Sequence, residues 1–276
     1  MKYKKTLIAG PWVGEFGWEL FAWQGYVRAL SRNYDETIVI SRSNSKALYE
    51  DFFTDFISFD EKTGQSDSFF MHNFDMKMQF KKIVESSNIS LNKQTSVLLP
   101  KRIGFPPHTH FSEVMSFGEI KVKPEYVCFG EKANKKYDYI FHLRNRGLRK
   151  EDNWSIDNWL SLKQLLNSDR IACVGTKSQS GWIPGTDDLR DINLKELFSV
   201  LKNSDYVFGP SSGPMHLSSL CGAKHIVWGN QQMSLNRYEK NWNPLKTPVI
   251  FLDEYKWHPS AEYVYNSFLN WKDKNE

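Results

Sequence analysis

The chain reads as an α/β protein of two doubly wound domains facing across a cleft, and three observations predict this. Short apolar runs alternate with longer segments of helical period. That rhythm occurs in two rounds, and an irregular stretch, Pro100–Pro124, with Pro106-Pro107 and scattered Gly and His, separates them. Such alternation builds βαβ units and parallel sheets. A chain of 276 residues has room for two cores of this size. The expected division is an N-terminal domain over 1–120, a C-terminal domain over 121–258, and a tail helix over 259–276 that packs back on the N-terminal domain.

Lys5–Gly10 (KTLIAG) opens the first round as a strand. From Trp18 to Arg32, Trp23, Tyr26, Val27 and Leu30 fall at i, i+3, i+4 and i+7, one face of a helix. Strands follow at Thr37–Ser41, Ile57–Phe59 and Thr95–Leu99, with helices predicted at Ala47–Phe53 and Asp75–Glu85. The second round opens on the strand Tyr137–Leu143. Ser155 or Asp157 caps a helix reaching Leu166. Ile171–Gly175 is a strand, Leu194–Leu201 a helix, Tyr206–Phe208 a short strand, Gly213–Leu220 a helix start and His225–Gly229 a strand. Tyr263, Phe268 and Trp271 give Pro259–Trp271 helical spacing.

Composition narrows the functional classes. At 40% hydrophobic and 25% charged, the chain can bury a core, which argues against disorder. The longest stretch free of charged side chains, Tyr206–Ala223, is rich in Gly, Pro and Ser and does not read as a membrane span. Gly10-Pro11 ends the first apolar run too early for a secretory leader. Cys128, Cys173 and Cys221 are far apart and odd in number, so neither a disulfide framework nor a cysteine metal knuckle is expected. The expectation is a soluble, cytoplasmic protein. Its net charge of +4 is mild, yet residues 121–150 carry nine Lys and Arg against three acids. A basic segment of this kind suits a phosphate-bearing ligand or, equally, a solvated face.

Three segments carry candidate chemistry. The first is Gly209-Pro210-Ser211-Ser212-Gly213-Pro214, between a strand and a helix that opens near Pro214. Proline suits a first helical position, and small residues let a ligand approach the free N–H groups and the positive end of the helix. Ser211 and Ser212 add hydroxyls, and His216 falls in the first turn. The second is Gly10–Leu20 (GPWVGEFGWEL), a glycine loop with two acids running into an amphipathic helix. Glu15 can serve there as a base, with Glu19 one turn on as the alternative; both can equally complement a helix N-terminus. Trp12 and Trp18 flank this loop and can stack on sugars or join the core. The third is His142–Trp154 (HLRNRGLRKEDNW), where Arg144, Arg146, Arg149 and Lys150 follow a strand end. Arginine binds phosphate by paired hydrogen bonds, and lysine acts as a point charge.

The order of hydrophobic strand, G-P-S-S-G-P-M-H-L-S-S-L-C-G-A over 209–223, then strand and glycine, resembles the donor-binding motif of the heptosyltransferases, glycosyltransferase family nine. That family's pattern reads D-S-G-x-x-H-x-A-A-x-x-G, and Ser211 stands where it has its acid. Leu189–Leu201 is similar to the family's lead-in, and Asn153–Leu166 to its W-x-x-x-x-W helix. The likeness covers about Asp138 to Gly229. It implies two Rossmann-like domains of the GT-B architecture and a metal-independent, inverting transfer from a nucleotide-diphosphate sugar, with no other cofactor. Carried over by position, Gly14-Glu15 matches the pair that supplies the catalytic carboxylate, and Lys150 matches the lysine before the tryptophan. Arg144 and Ser211, Ser212, Gly213, Pro214, Met215 and His216 then hold the donor. Trp12, Gly14, Gly17, Trp18 and Glu19 lie on the acceptor side.

No two Asp are two residues apart, unlike the Asp-x-Asp of many metal-dependent transferases, and His108-x-His110 has no carboxylate beside it. Trp182 and Gln231–Arg237 are candidates to border the cleft. Trp257, Tyr263 and Trp271 are expected to pack a helix across domains. The partners expected are a nucleotide sugar and a glycan or other hydroxyl acceptor, with peripheral membrane contact compatible. A hydroxylated base in phage-type DNA is the alternative acceptor, and it requires base flipping. A non-catalytic nucleotide-sugar-binding protein and a hydrolysing epimerase are the other readings.

Overall fold

The computed structural model describes residues 4–12, 14–60, 76–87, 89–100, 122–147, 149–230, 238 and 242–275. The chain divides into two compact units, Met1–Tyr126 and Val127–Glu276. The expected boundary at 120 therefore moves by a few residues. Glu125 N–H donates to the Gly25 carbonyl and the Tyr126 hydroxyl to the Phe21 carbonyl, which ties this segment to the first unit.

In the first unit, β1 (Thr6–Ala9), β2 (Glu36–Ser41), β3 (Asp55–Ser58) and β4 (Thr95–Leu98) form a parallel sheet in the order β3-β2-β1-β4. α1 (Phe16–Trp18), a π-helical turn (Glu19–Trp23) and α2 (Gln24–Ser31) follow one another without a break, starting two residues before the predicted Trp18. The predicted helix at Ala47–Phe53 is instead a 3₁₀ segment at Ser43–Leu48 followed by turns. α3 (Met76–Ser86) occupies most of its predicted place. The buried Arg28 joins these parts: it donates to Asp51 at 2.7 and 3.0 Å and to the Leu48 and Glu125 carbonyls. Gly10, directly after β1, has φ +124°, and a side chain there would overlap the Ile40 carbonyl.

In the second unit six strands pair in parallel, β5 (Tyr137–Phe141), β6 (Ile171–Gly175), β7 (Asp187–Arg190), β8 (Ser204–Pro210), β9 (His225–Trp228) and β10 (Val249–Leu252). Their order is β10-β9-β8-β5-β6-β7, the 3-2-1-4-5-6 order of the dinucleotide-binding fold read from the other edge. α4 (Ile156–Leu166) is capped by the Ser155 side chain and α5 (Leu194–Lys202) by that of Asn193. α6 (Gly213–Cys221) begins after β8 and ends in Gly222 at φ +70°. The last helix, α7 (Ala261–Asn275), packs on α4 and buries Val264 and Phe268 in this unit's own core, with Tyr263 and Trp271 against it. That corrects the expectation that the tail packs on the N-terminal domain: its apolar stripe is taken up by Tyr139, Tyr206 and Phe208.

Trp154, Trp159 and Trp228 meet at centroid distances of 4.7 to 5.4 Å, with Phe141 5.1 Å from Trp159. The W-x-x-x-x-W pair is thus core, and it packs on the ends of β5, which the arginine loop leaves, and of β9, the neighbour of β8. Among the described residues no helix is long and apolar enough to cross a membrane.

Candidate functional site

Both sheets reverse their strand order beside their first strand, between β1 and β4 and between β5 and β8. In open α/β sheets such a switch point leaves a crevice beyond the carboxyl ends of the strands, because the connecting helices depart to opposite faces. The glycine loop at Gly10–Glu15 leaves β1; the arginine loop leaves β5 and the serine turn leaves β8. The three predicted segments therefore stand at the two switch points.

The serine turn is only partly buried. Residues 211–214 are partly exposed, while Met215 and the rest of α6 are buried. Ser211 prolongs the sheet by donating its N–H to the Trp228 carbonyl at 2.8 Å, and its hydroxyl accepts from Tyr238 at 3.2 Å. Ser212 is the residue before α6, but its side chain does not cap the helix. Its Oγ is buried with no hydrogen-bond partner among the described residues. The first intrahelical bond runs from His216 N–H to the Ser212 carbonyl, so the amides of Gly213 and Met215 precede it and Pro214 has none to offer. An orphan hydroxyl and unbonded amides at the positive end of a helix form a natural anion cradle. Gly209 lets the turn close, since a Cβ there would sit 2.7 Å from Met215 Sδ and 3.1 Å from the His142 carbonyl.

Two residues assigned to the donor contribute differently than expected. Met215 turns its side chain into the core against Gly209, leaving only its amide at the turn. The His216 ring is buried, 4.0 Å from Trp242 edge-on and 5.0 Å from Tyr238. Both side chains shape the helix start.

The arginine loop folds around a residue that the motif search passed over. Arg144 is 4% exposed and donates to Asp152 at 3.3 Å; Arg149 pairs with the same carboxylate oxygen. Both guanidinium groups face Trp257, at 5.0 and 5.9 Å from its ring centroid. Lys150 is exposed and opens a 3₁₀ turn, Lys150–Asp152, whose last residue is buried. Backbone bonds from Gly181 N–H to the Leu143 carbonyl, 2.7 Å, and from Asn145 N–H to the Gln179 carbonyl, 2.8 Å, lash the loop to the β6 exit. Trp182, on that exit, is exposed and donates its indole N–H to the Thr186 carbonyl.

In the first unit the two acids separate. Glu15 is partly exposed and stands at the N-terminus of α1, where its carbonyl accepts from Trp18 and Glu19. Glu19 is 0% exposed and accepts from Ser41 at 2.5 Å, Tyr49 at 2.7 Å and Ser45 at 2.8 Å, with Arg42 at 3.7 Å. Burial and that buried charge push the Tyr49 hydroxyl well above its ordinary range, so it stays a donor. Glu19 as an alternative base is thereby corrected: its lone pairs are enclosed and used. Arg42 also donates to the Gly14 carbonyl, next to Glu15. Trp12, stacked on Trp23 at 5.4 Å, and Trp18 are both buried, as are Gly14 and Gly17, so the two tryptophans are core.

The pair His108 and His110, the segment Gln231–Arg237 and most of the predicted connection lie outside the described residues. Among the described residues no three His, Cys, Asp or Glu side chains converge as metal donors. Sequence reading missed Asp152 as a hub, and it placed Trp257 across domains. The signal for Asp152 was its place two residues after Lys150; nothing local marks Trp257.

His142, at the end of β5, gives a pH prediction. Burial pushes it down to about 4, helped by Arg144 and Arg146 and opposed by its bond to the Val174 carbonyl; burial does the same to His225, also to about 4. An unfolded histidine titrates near 6.5, so below that pH the unfolded chain takes up protons before the folded one. The stability that each neutral ring contributes is complete above pH ~6.5 and lost as pH falls toward ~4, on the order of 3 kcal/mol per ring. Urea midpoints are expected to drop across that window, less steeply in His142→Asn. A flat midpoint would contradict the burial of both rings.

No protein-family model matches the chain, and no curated protein matches it. Solved structures do. The chain is similar to a glycosyl transferase family 9 structure from Veillonella parvula, at 11% identity and TM-score 0.63, covering 98% of both chains. It is also similar to the ADP-heptose LPS heptosyltransferase II of E. coli, at 10% identity and TM-score 0.61, over 98% of this chain and 99% of that one. A third is described as a UDP-N-acetylglucosamine 2-epimerase from Listeria monocytogenes, at 9% identity and TM-score 0.52, over 98% and 88%. The fold is that of family-nine glycosyltransferase structures, two Rossmann-like units each built on a parallel sheet.

Proposed function

We propose that the protein is a metal-independent, inverting glycosyltransferase that moves a sugar from a nucleotide-diphosphate donor to an acceptor hydroxyl on a glycan. One observation carries this reading: the Ser211–Pro214 turn, at the switch point of the second sheet, leaves α6 uncapped and the Ser212 hydroxyl orphaned beside an arginine loop. That arrangement suits a pyrophosphate, whose oxygens satisfy donors the chain does not. The fold likeness to heptosyltransferase structures, one of them solved with ADP, supports the same ligand class.

In the reaction, Glu15 takes the proton of the acceptor hydroxyl as that oxygen bonds to the anomeric carbon from the face opposite the diphosphate. The bond from the anomeric carbon to the diphosphate oxygen breaks, and its electron pair leaves with the nucleotide. The departing charge is met by the α6 amides, Arg144 and the exposed Lys150, which supply the electrophilic help within the protein itself. Ser211, neutral where the resembled family is acidic, adds no repulsion to the diphosphate. The protein works in the cytoplasm in this reading, where nucleotide sugars are made.

A thermal-shift panel of nucleoside diphosphates and their sugars tests the donor site. A ligand at about 100 times its Kd adds about 2.7 kcal/mol to the folded state, a rise of several degrees. One base and one sugar are expected to stand out. If no nucleoside diphosphate raises the Tm, the donor assignment is wrong. The likeness to an epimerase structure makes hydrolytic epimerisation the second reading. Release of free epimerised sugar without acceptor would establish it.

A further inference from the structure

We infer that Tyr238 is a positioning residue of the donor site: by donating to Ser211 from the core, it turns the Ser211 proton outward as a hydrogen-bond donor to the diphosphate. This deepens the donor-site reading above and rests on it. Tyr238 is 1% exposed, and its hydroxyl donates to Ser211 Oγ at 3.2 Å. A buried phenol requires such a partner, because an unmet proton costs its desolvation. A serine oxygen carries one proton and two lone pairs. Once a donor on the buried side occupies a lone pair, the serine proton cannot point the same way and takes one of the remaining staggered positions. Among the described residues Ser211 Oγ has no other hydrogen-bond partner, so no protein acceptor claims that proton. Ser211 itself is partly exposed at the turn, with its N–H held by the Trp228 carbonyl.

The ring that carries this hydroxyl is fixed on several sides. It lies 5.0 Å from the His216 ring, in the first turn of α6, and 5.1 Å from Phe251 on β10. One side chain therefore touches both the residue that opens the serine turn and a residue just past it. Trp242, 6.2 Å from the same ring, belongs to a segment fastened to α6. Ser219 Oγ donates to the Trp242 carbonyl at 2.8 Å, and Thr247 Oγ1 donates to the Ser219 carbonyl at 2.6 Å. Tyr238 is thus tied to the helix whose N-terminus forms the anion cradle.

A phosphate oxygen at neutral pH is almost purely an acceptor, so the site gains from every hydroxyl committed to donate. A serine free to rotate gives up that freedom on binding, whereas one oriented beforehand does not. Tyrosine to serine to phosphate is also a chain in which each bond polarises the next and strengthens the last. An aspartate at 211 would accept from Tyr238 and have no proton to pass on.

Calorimetric titration of the whole chain with inorganic pyrophosphate reads this without knowing the nucleotide. Ser211→Ala is expected to weaken binding about tenfold, the scale of one hydrogen bond to a charged group. Tyr238→Phe keeps the ring and its packing and removes only the hydroxyl, with an expected loss of about fivefold. The double variant separates orientation from mere support of the fold. If Tyr238 acts through Ser211, the double variant binds within about twofold of Ser211→Ala, because the hydroxyl that Tyr238 orients is gone. If Tyr238 only supports the fold, the two losses are independent and multiply to about fiftyfold. Multiplied losses, or either single variant binding like wild type, overturn the inference and leave the donor site standing. If wild type binds neither pyrophosphate nor any nucleoside diphosphate, both readings fall together.

Discussion

Glu15→Gln is expected to lower sugar transfer by about a thousandfold, the middle of the range for a positioned general base, while nucleoside-diphosphate affinity stays within about twofold. Glutamine has the same shape and retains the backbone role of residue 15, whose carbonyl accepts from Trp18 and Glu19 at the start of α1. What it lacks is a basic lone pair of sufficient strength to take a proton. The competing account gives Glu15 only the task of complementing the positive end of a helix, an effect of about 0.3–1 kcal/mol at a surface. That account predicts a small drop in Tm with turnover preserved. Initial rates, product-bound Kd and Tm measured on one preparation separate the two, and near-normal turnover would remove Glu15 from the chemistry.

Glu19→Ala has the opposite signature, loss of stability. Its carboxylate is fully enclosed by Ser41, Ser45, Tyr49 and Arg42, drawn from the end of β2 and from the 3₁₀ segment Ser43–Leu48 with the residues that flank it. Truncation leaves three hydroxyls and a guanidinium facing a void. Breaking a buried charged pair from one side costs about 3–5 kcal/mol, enough to unfold a marginal domain. Chemical denaturation of the first unit is expected to shift by that amount. Glu19→Gln should lose less, since an amide oxygen still accepts from two of the hydroxyls. Because Arg42 also holds the Gly14 carbonyl, the surviving folded fraction should show a raised KM and a disordered glycine loop. An unchanged midpoint would mean that the network contributes nothing.

These two acids show where sequence reading stops. They lie four residues apart, and both follow the same strand into the same helix, so pattern alone gives them one description. Burial divides them, and burial depends on β2 and the segment after it arriving alongside. The same holds for the tryptophans of the first loop. Trp12 and Trp18 look like sugar-stacking residues in the chain, yet Trp12 stacks on Trp23 inside the core. Strand detection failed for a local reason at β7, where DDLR at an exposed edge carries no apolar run. At β10 a readable run, VIFL, was passed over.

From local order alone came the two rounds of strand and helix, the three loops that follow strand ends, and the small, proline-bearing start of α6. Each of these signals resides within about a dozen consecutive residues, in side-chain period, in glycine and proline geometry, and in unsatisfied helix amides. Tertiary structure alone decided which strands are neighbours, and therefore that the arginine loop and the serine turn share a switch point. It also decided which glutamate is enclosed, and that Trp257 returns to lie over Arg144. Those outcomes are set by long-range packing, in which distant segments compete to bury the same surface. No spacing within one segment records who wins.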